Sequence, residues 1–256
     1  MTQLSISPIP AFSDNYIWCI TSGADAVLVD PGEAAPALAY LREHHLQLTA
    51  ILVTHHHPDH VGGIGEIIEK CGDVPVIGPK SSTSALNCVV ADGDTVAVHG
   101  VEFTTIGVPG HTLDHVAYFC AENKLLFCGD TLFAGGCGRL FEGTPEQMLE
   151  SLGRLQSLPA DTRVYCAHEY TLNNLRFALK AEPENADLQQ RYRETEALRA
   201  ANRITLPSTI AVEQKTNPFL RSAIPSLQRN IAREHGLNDY TQVDIFAALR
   251  TWKDNS

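Results

Sequence analysis

The chain contains the run Thr54-His55-His56-His57-Pro58-Asp59-His60. Imidazole and carboxylate groups are the side chains that commonly bind zinc, iron or manganese. The spacing is too dense for one face of a helix, where neighbours recur three and four residues apart. The run follows the apolar segment 50–53, which is typical of a buried strand. A polar turn would need no imidazole, so we predict a metal-binding loop at the carboxyl end of a strand. Its predicted ligands are His55, His57, Asp59 and His60.

The composition is that of a soluble globular protein. Of 256 residues, 44% are hydrophobic and 19% are charged. This length allows one large domain, or a domain of roughly 170 residues with a smaller one. The net charge of −11 argues against a nucleic-acid-binding protein, which requires a basic face. The sequence also lacks an apolar run of the roughly 18 residues that a membrane span requires. We therefore predict neither nucleic acid nor membrane as a partner.

The cysteines indicate a reducing compartment. There are seven, an odd number, and they form no C-x-x-C motif. Several lie in apolar runs, which is typical of buried thiols. We predict reduced cysteines and a cytoplasmic location.

The first two-thirds of the chain alternate between strand-like and helix-like segments, whereas the rest is helix-like and lacks glycine-rich turns. We therefore predict a catalytic domain at residues 1–170 and a small helical domain at residues 171–256. Strands are predicted at 16–20, 26–29, 50–53, 74–77, 95–98, 102–108, 115–119, 125–128 and 163–166. Helices are predicted at 34–44, 61–70, 145–157, 171–181, 185–201, 227–235 and 243–252.

Three later residues also follow apolar runs. They are His111, Asp130 and His168, and two of them come directly after a glycine. Alone, each has an ordinary explanation, since histidine is often a surface or core residue and aspartate often forms turns or caps. Together they are persuasive, because a metal centre collects ligands from several strands.

The number of candidate ligands favours two metal ions. A single tetrahedral zinc uses three or four protein ligands, whereas the chain offers seven. A carboxylate has two oxygens while an imidazole offers one lone pair to a metal, so Asp130 is the natural bridge. The predicted division places His55, His57 and His111 on one ion, Asp59, His60 and His168 on the other, and Asp130 between them. Two divalent ions about 3.5–4 Å apart hold a hydroxide at neutral pH.

The motifs around these residues resemble the metallo-β-lactamase superfamily. Within it, the chain looks like the glyoxalase II (hydroxyacylglutathione hydrolase) family, and the resemblance covers nearly the whole chain. The more specific segments are 9–16, 133–144 and 217–221, the last reading Asn-Pro-Phe-Leu-Arg. The resemblance implies an α/β fold, the αββα metallo-β-lactamase sandwich with a small C-terminal α-helical domain. It also places the metals at one edge between two sheets.

Charge supports an anionic substrate. Between residues 199 and 233 there are six basic residues and one acidic residue. This window therefore carries a net charge of +5, whereas the whole chain carries −11. Glutathione has two carboxylates, and arginine suits bidentate carboxylate binding. By resemblance, Arg221 contacts the glycine end of glutathione, and the Tyr170 hydroxyl contacts the peptide. The backbone around Arg139 and Phe141 lines the same pocket.

Three positions depart from the family pattern. Some relatives carry a lysine shortly after the position of Arg221, where this chain has none, so Arg229 is a possible substitute. Some carry tyrosine at the position of Phe141. Many carry glycine at the position of Asp114, which here can accept a hydrogen bond near His115. His56 is expected outside the ligand set.

The resemblance implies an enzyme that hydrolyses the thioester of S-(2-hydroxyacyl)glutathione, chiefly S-lactoylglutathione, to glutathione and D-lactate. This is the second step of methylglyoxal detoxification. A metal-bridging hydroxide attacks the acyl carbon, with Asp59 and Asp130 as catalytic residues. The expected cofactors are two divalent ions, zinc in first place and iron or manganese as alternatives. The expected partner is the small-molecule substrate, and the protein is expected to be a monomer.

Three alternatives remain. The first is a mononuclear iron dioxygenase acting on glutathione persulfide on the same scaffold, with a 2-His-1-carboxylate site. The second is a lactonase or β-lactamase, which needs no glutathione-binding domain. The third is a non-catalytic, metal-stabilised binding module, in which a closed coordination shell is expected.

Overall fold

The structure, a computed structural model, describes residues 4–80 and 82–256. Residues 1–3 and 81 of the predicted first domain lie outside this range. The chain divides into two compact units. The first comprises Met1–Gly107 and Asp114–Gly129, and the second comprises Val108–Leu113 and Asp130–Ser256. The predicted boundary near residue 170 lies inside the second unit, so the division at that residue stays a prediction based on composition.

The first unit alternates strands and helices along the chain. Its elements are β1 (Ser5–Ala11), β2 (Asn15–Ser22), β3 (Asp25–Val29), α1 (Ala34–Glu43), β4 (Gln47–Leu52), α2 (Pro58–Val61), α3 (Ile64–Cys71), β5 (Val76–Gly78), β6 (Cys88–Val89), β7 (Thr95–Val98), β8 (Val101–Gly107), β9 (Val116–Cys120) and β10 (Leu125–Gly129).

The larger sheet of this unit has the order β1-β2-β3-β4-β5-β6. Strands β1 to β3 are antiparallel, whereas β3 to β6 are parallel. Parallel neighbours need crossover connections, and α1 forms the one between β3 and β4. Because these strands run in one direction, the segments that follow β3 and β4 leave the sheet at the same edge. That edge carries Asp30 and the histidine-rich run.

A helical layer covers this sheet. Helix α1 buries Ala37 and Leu41, four residues apart, and α3 buries Ile64 and Ile67. These side chains form one apolar cluster with residues of β1 to β5, including Ile51. Burial of each large aliphatic side chain contributes about 1.5–3 kcal/mol. The carboxyl end of β4 is therefore held rigidly.

The second sheet of this unit runs β7-β8-β9-β10 as antiparallel neighbours. It faces the first sheet through the buried side chain of Tyr118 on β9. The Tyr118 hydroxyl donates to the carbonyl of Val53 at 2.8 Å, and it lies 3.3 Å from the carbonyl of Ile77. This contact connects the second sheet to the residue that immediately precedes Thr54.

The second unit is mostly helical. Its elements are β11 (Leu132–Phe133), β12 (Gly136–Cys137), α4 (Pro145–Gln156), β13 (Arg163–Cys166), α5 (Thr171–Ala181), α6 (Ala186–Ala200), β14 (Ser208–Thr209), α7 (Ile210–Thr216), α8 (Pro225–His235) and α9 (Gln242–Asp254).

Buried polar contacts organise this unit. The carboxylate of Glu213 on α7 is fully buried and accepts from Arg191 on α6 at 2.6 Å. It also accepts from the backbone of Gly135 at 2.8 Å and from Asn217 at 3.1 Å. One side chain thus holds α6 and α7 against the loop between β11 and β12. No helix in the described part of the chain has both the length and the apolar character of a membrane span.

The predicted strands and helices are largely confirmed, with ends that shift by a few residues. Helix α4 begins as predicted, because Thr144 and Gln147 form a reciprocal capping box around Pro145. Two longer elements escaped prediction, the strand Ser5–Ala11 and the helix Ile210–Thr216.

Candidate metal centre

The histidine-rich run begins in a loop held by Asp30. Thr54 follows β4 by two residues, and its backbone N–H donates to Asp30 Oδ1 at 2.8 Å. The Thr54 hydroxyl donates to the other carboxylate oxygen at 2.7 Å and lies 3.1 Å from Nδ1 of His55. His55 itself is buried. A carboxylate that accepts two hydrogen bonds therefore fixes the start of the ligand run.

The second half of the run is helical, which corrects the prediction that the whole run is a loop. Pro58 opens the short helix α2, which contains Asp59 and His60. Proline suits the first helical position because its fixed φ matches the helix and the missing N–H has no intrahelical acceptor there. Gly32 makes the turn possible, since a Cβ at this position would lie 1.8 Å from the Asp59 carbonyl oxygen.

The four predicted ligands of the first unit lie close together. A ligand atom of His55 lies within 4.8 Å of one in His57 and, in a second group, within 4.8 Å of one in His60. His60 Nε2 lies 3.5 Å from Asp59 Oδ2, and His60 Nδ1 lies 3.1 Å from Asp30 Oδ2. A neighbouring carboxylate at Nδ1 orients the imidazole and directs Nε2 towards a metal.

The three predicted ligands of the second unit are also adjacent. Nε2 of His111 lies 3.5 Å from Oδ2 of Asp130, and Nε2 of His168 lies 3.4 Å from Oδ1. The two histidines thus face different oxygens of one carboxylate. Asp130 directly follows β10 and His168 lies two residues after β13. This arrangement suits a carboxylate that bridges two ions.

Each of these histidines has a second contact that fixes its ring. Nδ1 of His111 lies 2.9 Å from the carbonyl oxygen of Arg139. Because a carbonyl can only accept, Nδ1 carries the proton and Nε2 is left with a lone pair. The ring of His168 stacks on Tyr170, with centroids 4.6 Å apart and an interplanar angle of 8°.

Three of the four predicted substrate residues lie beside these ligands. Phe141 is 63% exposed, and its ring centroid is 5.3 Å from that of His111. The Arg139 carbonyl contacts His111, while its guanidinium extends to Asp254, with Nε 3.3 Å from Oδ1.

The fourth predicted substrate residue, Arg221, is held by a carboxylate. Its guanidinium donates to both oxygens of Glu182, at 2.8 and 3.0 Å. Both residues line a cavity of about 790 Å³ that also includes Arg229 and Arg233 on α8. Three of the arginines between residues 199 and 233 therefore line one cavity.

Sequence reasoning missed two residues that hold ligands. Asp30 belongs to a run that suggested only a turn, and Asn15 opens β2. The Asn15 amide donates to Asp59 Oδ2 at 3.0 Å. Hydrogen-bond partners this far away in sequence leave no local pattern. The prediction for Asp114 was incomplete, since the structure places its carboxylate 3.4 Å from Nδ1 of His56.

The donor set fits divalent metal ions. Histidine nitrogens and carboxylate oxygens are ligands that zinc, iron and manganese accept. Two neighbouring thiols stay protonated in the absence of metal, because burial raises the pKa of Cys166 to about 12 and that of Cys137 to about 11. Among the described residues, the groups placed to hold a metal contain histidine and aspartate and no cysteine.

Comparison with known proteins agrees with this donor set. Residues 12–168 match the metallo-beta-lactamase superfamily, and residues 169–256 match the hydroxyacylglutathione hydrolase C-terminus. The chain is 52% identical over 258 residues to the hydroxyacylglutathione hydrolase of Pseudomonas entomophila (strain L48), covering 98% of this chain and 99% of the relative.

Solved structures are similar at lower identity. ETHE1 from Myxococcus xanthus is 27% identical, with a TM-score of 0.65 and 98% coverage of both chains. TTHA1623 in a di-iron-bound form is 26% identical, with a TM-score of 0.61, covering 84% of this chain and all of that one (100%). These matches confirm the predicted fold class, the αββα sandwich with a C-terminal helical domain. The chain belongs to the metallo-β-lactamase superfamily and, within it, to the hydroxyacylglutathione hydrolase family.

Proposed function

We propose that this protein hydrolyses the thioester of S-(2-hydroxyacyl)glutathione, chiefly S-lactoylglutathione, to glutathione and D-lactate. This reaction is the second step of methylglyoxal detoxification. The observation that carries the proposal is the 52% identity to a hydroxyacylglutathione hydrolase over nearly the full length of both chains. The match of residues 169–256 to the C-terminus of that family supports a glutathione-containing substrate rather than another ester.

We propose further that the two ligand groups form one centre for two divalent ions. Asp130 would bridge the two ions, since its two oxygens face different histidines. The di-iron form of a structural neighbour supports a pair of ions. Zinc is the proposed metal, with iron and manganese as alternatives of the same ligand chemistry. His55, His57 and His111 would hold one ion, and Asp59, His60 and His168 would hold the other.

Divalent ions held by these residues would supply a water molecule of near-neutral pKa and a Lewis acid for the acyl carbonyl. The chain's own carboxylates orient that water. Asp59 suits this role because its side chain is 40% exposed while the Asn15 amide holds one of its oxygens. Attack of the water oxygen on the acyl carbon forms the new C–O bond and breaks the C–S bond, and the protons of the water pass to solvent. The leaving thiolate has a conjugate-acid pKa of about 8.5, so it departs without a strong general acid.

The substrate residues are assigned by their positions. We propose that Tyr170, Arg139 and Phe141 line the thioester end of the substrate, because they lie beside His168 and His111. Arg221 is proposed for the glycine carboxylate. Its bidentate pair with Glu182 competes with that role. The exposed Arg229 of the same cavity is therefore the proposed second base.

The proposed location is the cytoplasm, and the proposed state is a monomer with a small-molecule partner. None of the seven cysteines, all of them within the described residues, forms a disulfide bond, which suits a reducing compartment.

Assay of the purified protein with S-lactoylglutathione tests the function. Thiol release is followed beside that from the lactoyl thioester of N-acetylcysteamine, which keeps the reacting bond and lacks the tripeptide. We expect thiol release without oxygen uptake and a strong preference for the glutathione thioester. Oxygen uptake with glutathione persulfide and no thioester cleavage would instead establish the dioxygenase. Equal rates on both thioesters would contradict the glutathione assignment.

A further inference from the structure

Helix α9 buries a guanidinium group against the end of β12. Arg250 on α9 is only 5% exposed, and its guanidinium lies 5.0 Å from the centroid of the Phe219 ring. One terminal nitrogen donates to the carbonyl of Cys137 at 2.8 Å. A buried guanidinium is costly unless its donors are satisfied. Among the described residues the buried Nε of Arg250 has no hydrogen-bond partner, so the terminal nitrogens make the specific attachment of α9, here to the Cys137 backbone.

A second attachment lies one helical turn later. Asp254 Oδ1 accepts from the other terminal nitrogen of Arg250 at 2.8 Å. The same oxygen lies 3.3 Å from Nε of Arg139. Helix α9 therefore contacts both ends of the segment 137–139. Arg250 contacts the Cys137 carbonyl, and Asp254 contacts the Arg139 side chain.

This segment in turn contacts a proposed metal ligand. The Arg139 carbonyl oxygen lies 2.9 Å from Nδ1 of His111. Gly138 packs so tightly that a Cβ there would lie 2.0 Å from the Asp130 carbonyl oxygen and 3.0 Å from Nδ1 of His111. A small shift of the segment would therefore change the hydrogen bond that fixes the His111 ring.

We propose that Arg250 and Asp254 are positioning residues for His111, acting through the backbone of residues 137–139. They hold the Arg139 carbonyl where it accepts the Nδ1 proton, which leaves the Nε2 lone pair for the metal. The inference rests on the proposed function only in taking His111 as a metal ligand. It gives the C-terminal helix a role in metal binding that is separate from substrate recognition.

Three variants of α9 test this. Arg250→Met keeps much of the buried volume and removes the donors, whereas Arg250→Lys keeps one donor. Lys253→Met is the matched control, because Lys253 lies on the same turn with its ammonium group over the Phe177 ring. For each variant, metal affinity is measured by competition with a chromophoric zinc chelator. The His111 tautomer is read from ¹H–¹⁵N NMR of the metal-free protein, and thermal unfolding is recorded in parallel.

We expect Arg250→Met to weaken zinc binding by about 10- to 100-fold, as for other residues that orient a ligand. The single Nδ1–H tautomer of His111 should become a mixture. Arg250→Lys should restore much of both properties, and Lys253→Met should match the wild type. An unchanged tautomer and affinity in Arg250→Met would overturn the proposal, as would an equal loss in Lys253→Met. Because the tautomer is measured without metal, it still tests the inference if the wild type fails to cleave the thioester.

Discussion

Asp130 presents its two carboxylate oxygens to two different histidines, at 3.4 and 3.5 Å. A carboxylate can ligate two ions at once, whereas a neutral imidazole offers one lone pair. The proposed centre therefore depends on this residue more than on any single histidine.

Replacement of Asp130 tests the bridge. In Asp130→Ala we expect the metal content to fall from two ions per chain to one or fewer. Turnover should fall by more than about 100-fold, beyond the 10- to 100-fold typical of residues that only orient a ligand. Asp114→Ala is the control, since this partly exposed carboxylate faces His56. Elemental analysis and thiol release measure both effects. Two bound ions and a near-normal rate in Asp130→Ala would exclude it as the bridge.

Asp30 contacts both ends of the run from Thr54 to His60. Its oxygens accept from the Thr54 backbone and hydroxyl, and one lies 3.1 Å from His60 Nδ1. Asp30→Asn keeps the backbone acceptor but places an amide N–H group where His60 Nδ1 now faces a carboxylate oxygen. Asparagine also tolerates the φ of +53° found here.

We expect Asp30→Asn to weaken metal binding by about 10- to 100-fold. It should also lower the free energy of unfolding of the metal-free protein by about 1–3 kcal/mol. Chelator competition and urea denaturation measure these quantities, with Asp25→Asn at the exposed start of β3 as the control. An unchanged metal affinity would show that the carboxylate does not orient His60.

At the scale of single residues, the sequence predicts ligands better than it predicts what holds them. His55 to His60 stand out because four donors cluster after an apolar strand. Asp30 and Asn15 do not, because aspartate before Pro-Gly is typical of a turn and a lone asparagine has many uses. Their contacts depend on β2, β3 and β4 lying in one sheet, which no local pattern specifies.

Among the elements, the two longer omissions have different physical causes. Strand β1 contains Pro8 and Pro10, and proline lacks the N–H that a central strand needs. It is tolerated because β1 is the edge strand of its sheet, paired with β2. Helix α7 lies in a proline-containing segment and is only seven residues long. Its start is capped by Thr209, whose hydroxyl accepts from Val212 at 3.3 Å.

Glu213 shows how one carboxylate holds several elements together. Glu213→Gln removes the charge that faces Arg191, whose side chain is 12% exposed. Breaking a buried ion pair on one side costs about 3–5 kcal/mol, so we expect a loss of that size in unfolding free energy. Glu196→Gln, at an exposed position of α6, should change stability by less than about 0.5 kcal/mol. Urea denaturation of both variants compares them. Equal stabilities would mean that the pair contributes nothing.

For the whole molecule, buried thiols predict a loss of stability in alkali. Burial raises the pKa of Cys19 to about 12 and that of Cys137 to about 11, from an ordinary value of 9.0. Above pH 9 the unfolded chain releases these protons while the folded protein keeps them. Stability is therefore intact below pH 9 and falls as pH rises towards 11, by about 1.4 kcal/mol per thiol and pH unit.

Unfolding free energies at pH 8, 9, 10 and 11 under reducing conditions measure this slope. Cys19→Ala should flatten it by one thiol's contribution, whereas Cys88→Ala, at an exposed thiol, should leave it unchanged. A slope that Cys19→Ala does not alter would contradict the assigned burial effect.

The fold class was accessible from the sequence because the motifs resemble those of a known superfamily, and the candidate ligands stood out because they cluster or follow apolar strands. The division into compact units was not. Residues 108–113 join the second unit although they lie between strands of the first. Such an exchange depends on contacts between residues that are distant in sequence. The predicted boundary at residue 170 instead marks a change in composition. Glycine-rich turns end there, and helix-like segments follow.

The central claim is that thioester hydrolysis depends on two metal ions held by seven side chains. Stepwise addition of zinc to the metal-free protein, with hydrolysis of S-lactoylglutathione measured at each step, tests it most directly. Activity should rise until two equivalents are bound and then stay constant, and Asp130→Ala should gain no activity at any ratio. Full hydrolysis at one equivalent, or hydrolysis by the metal-free protein, would show that two bound ions are not required.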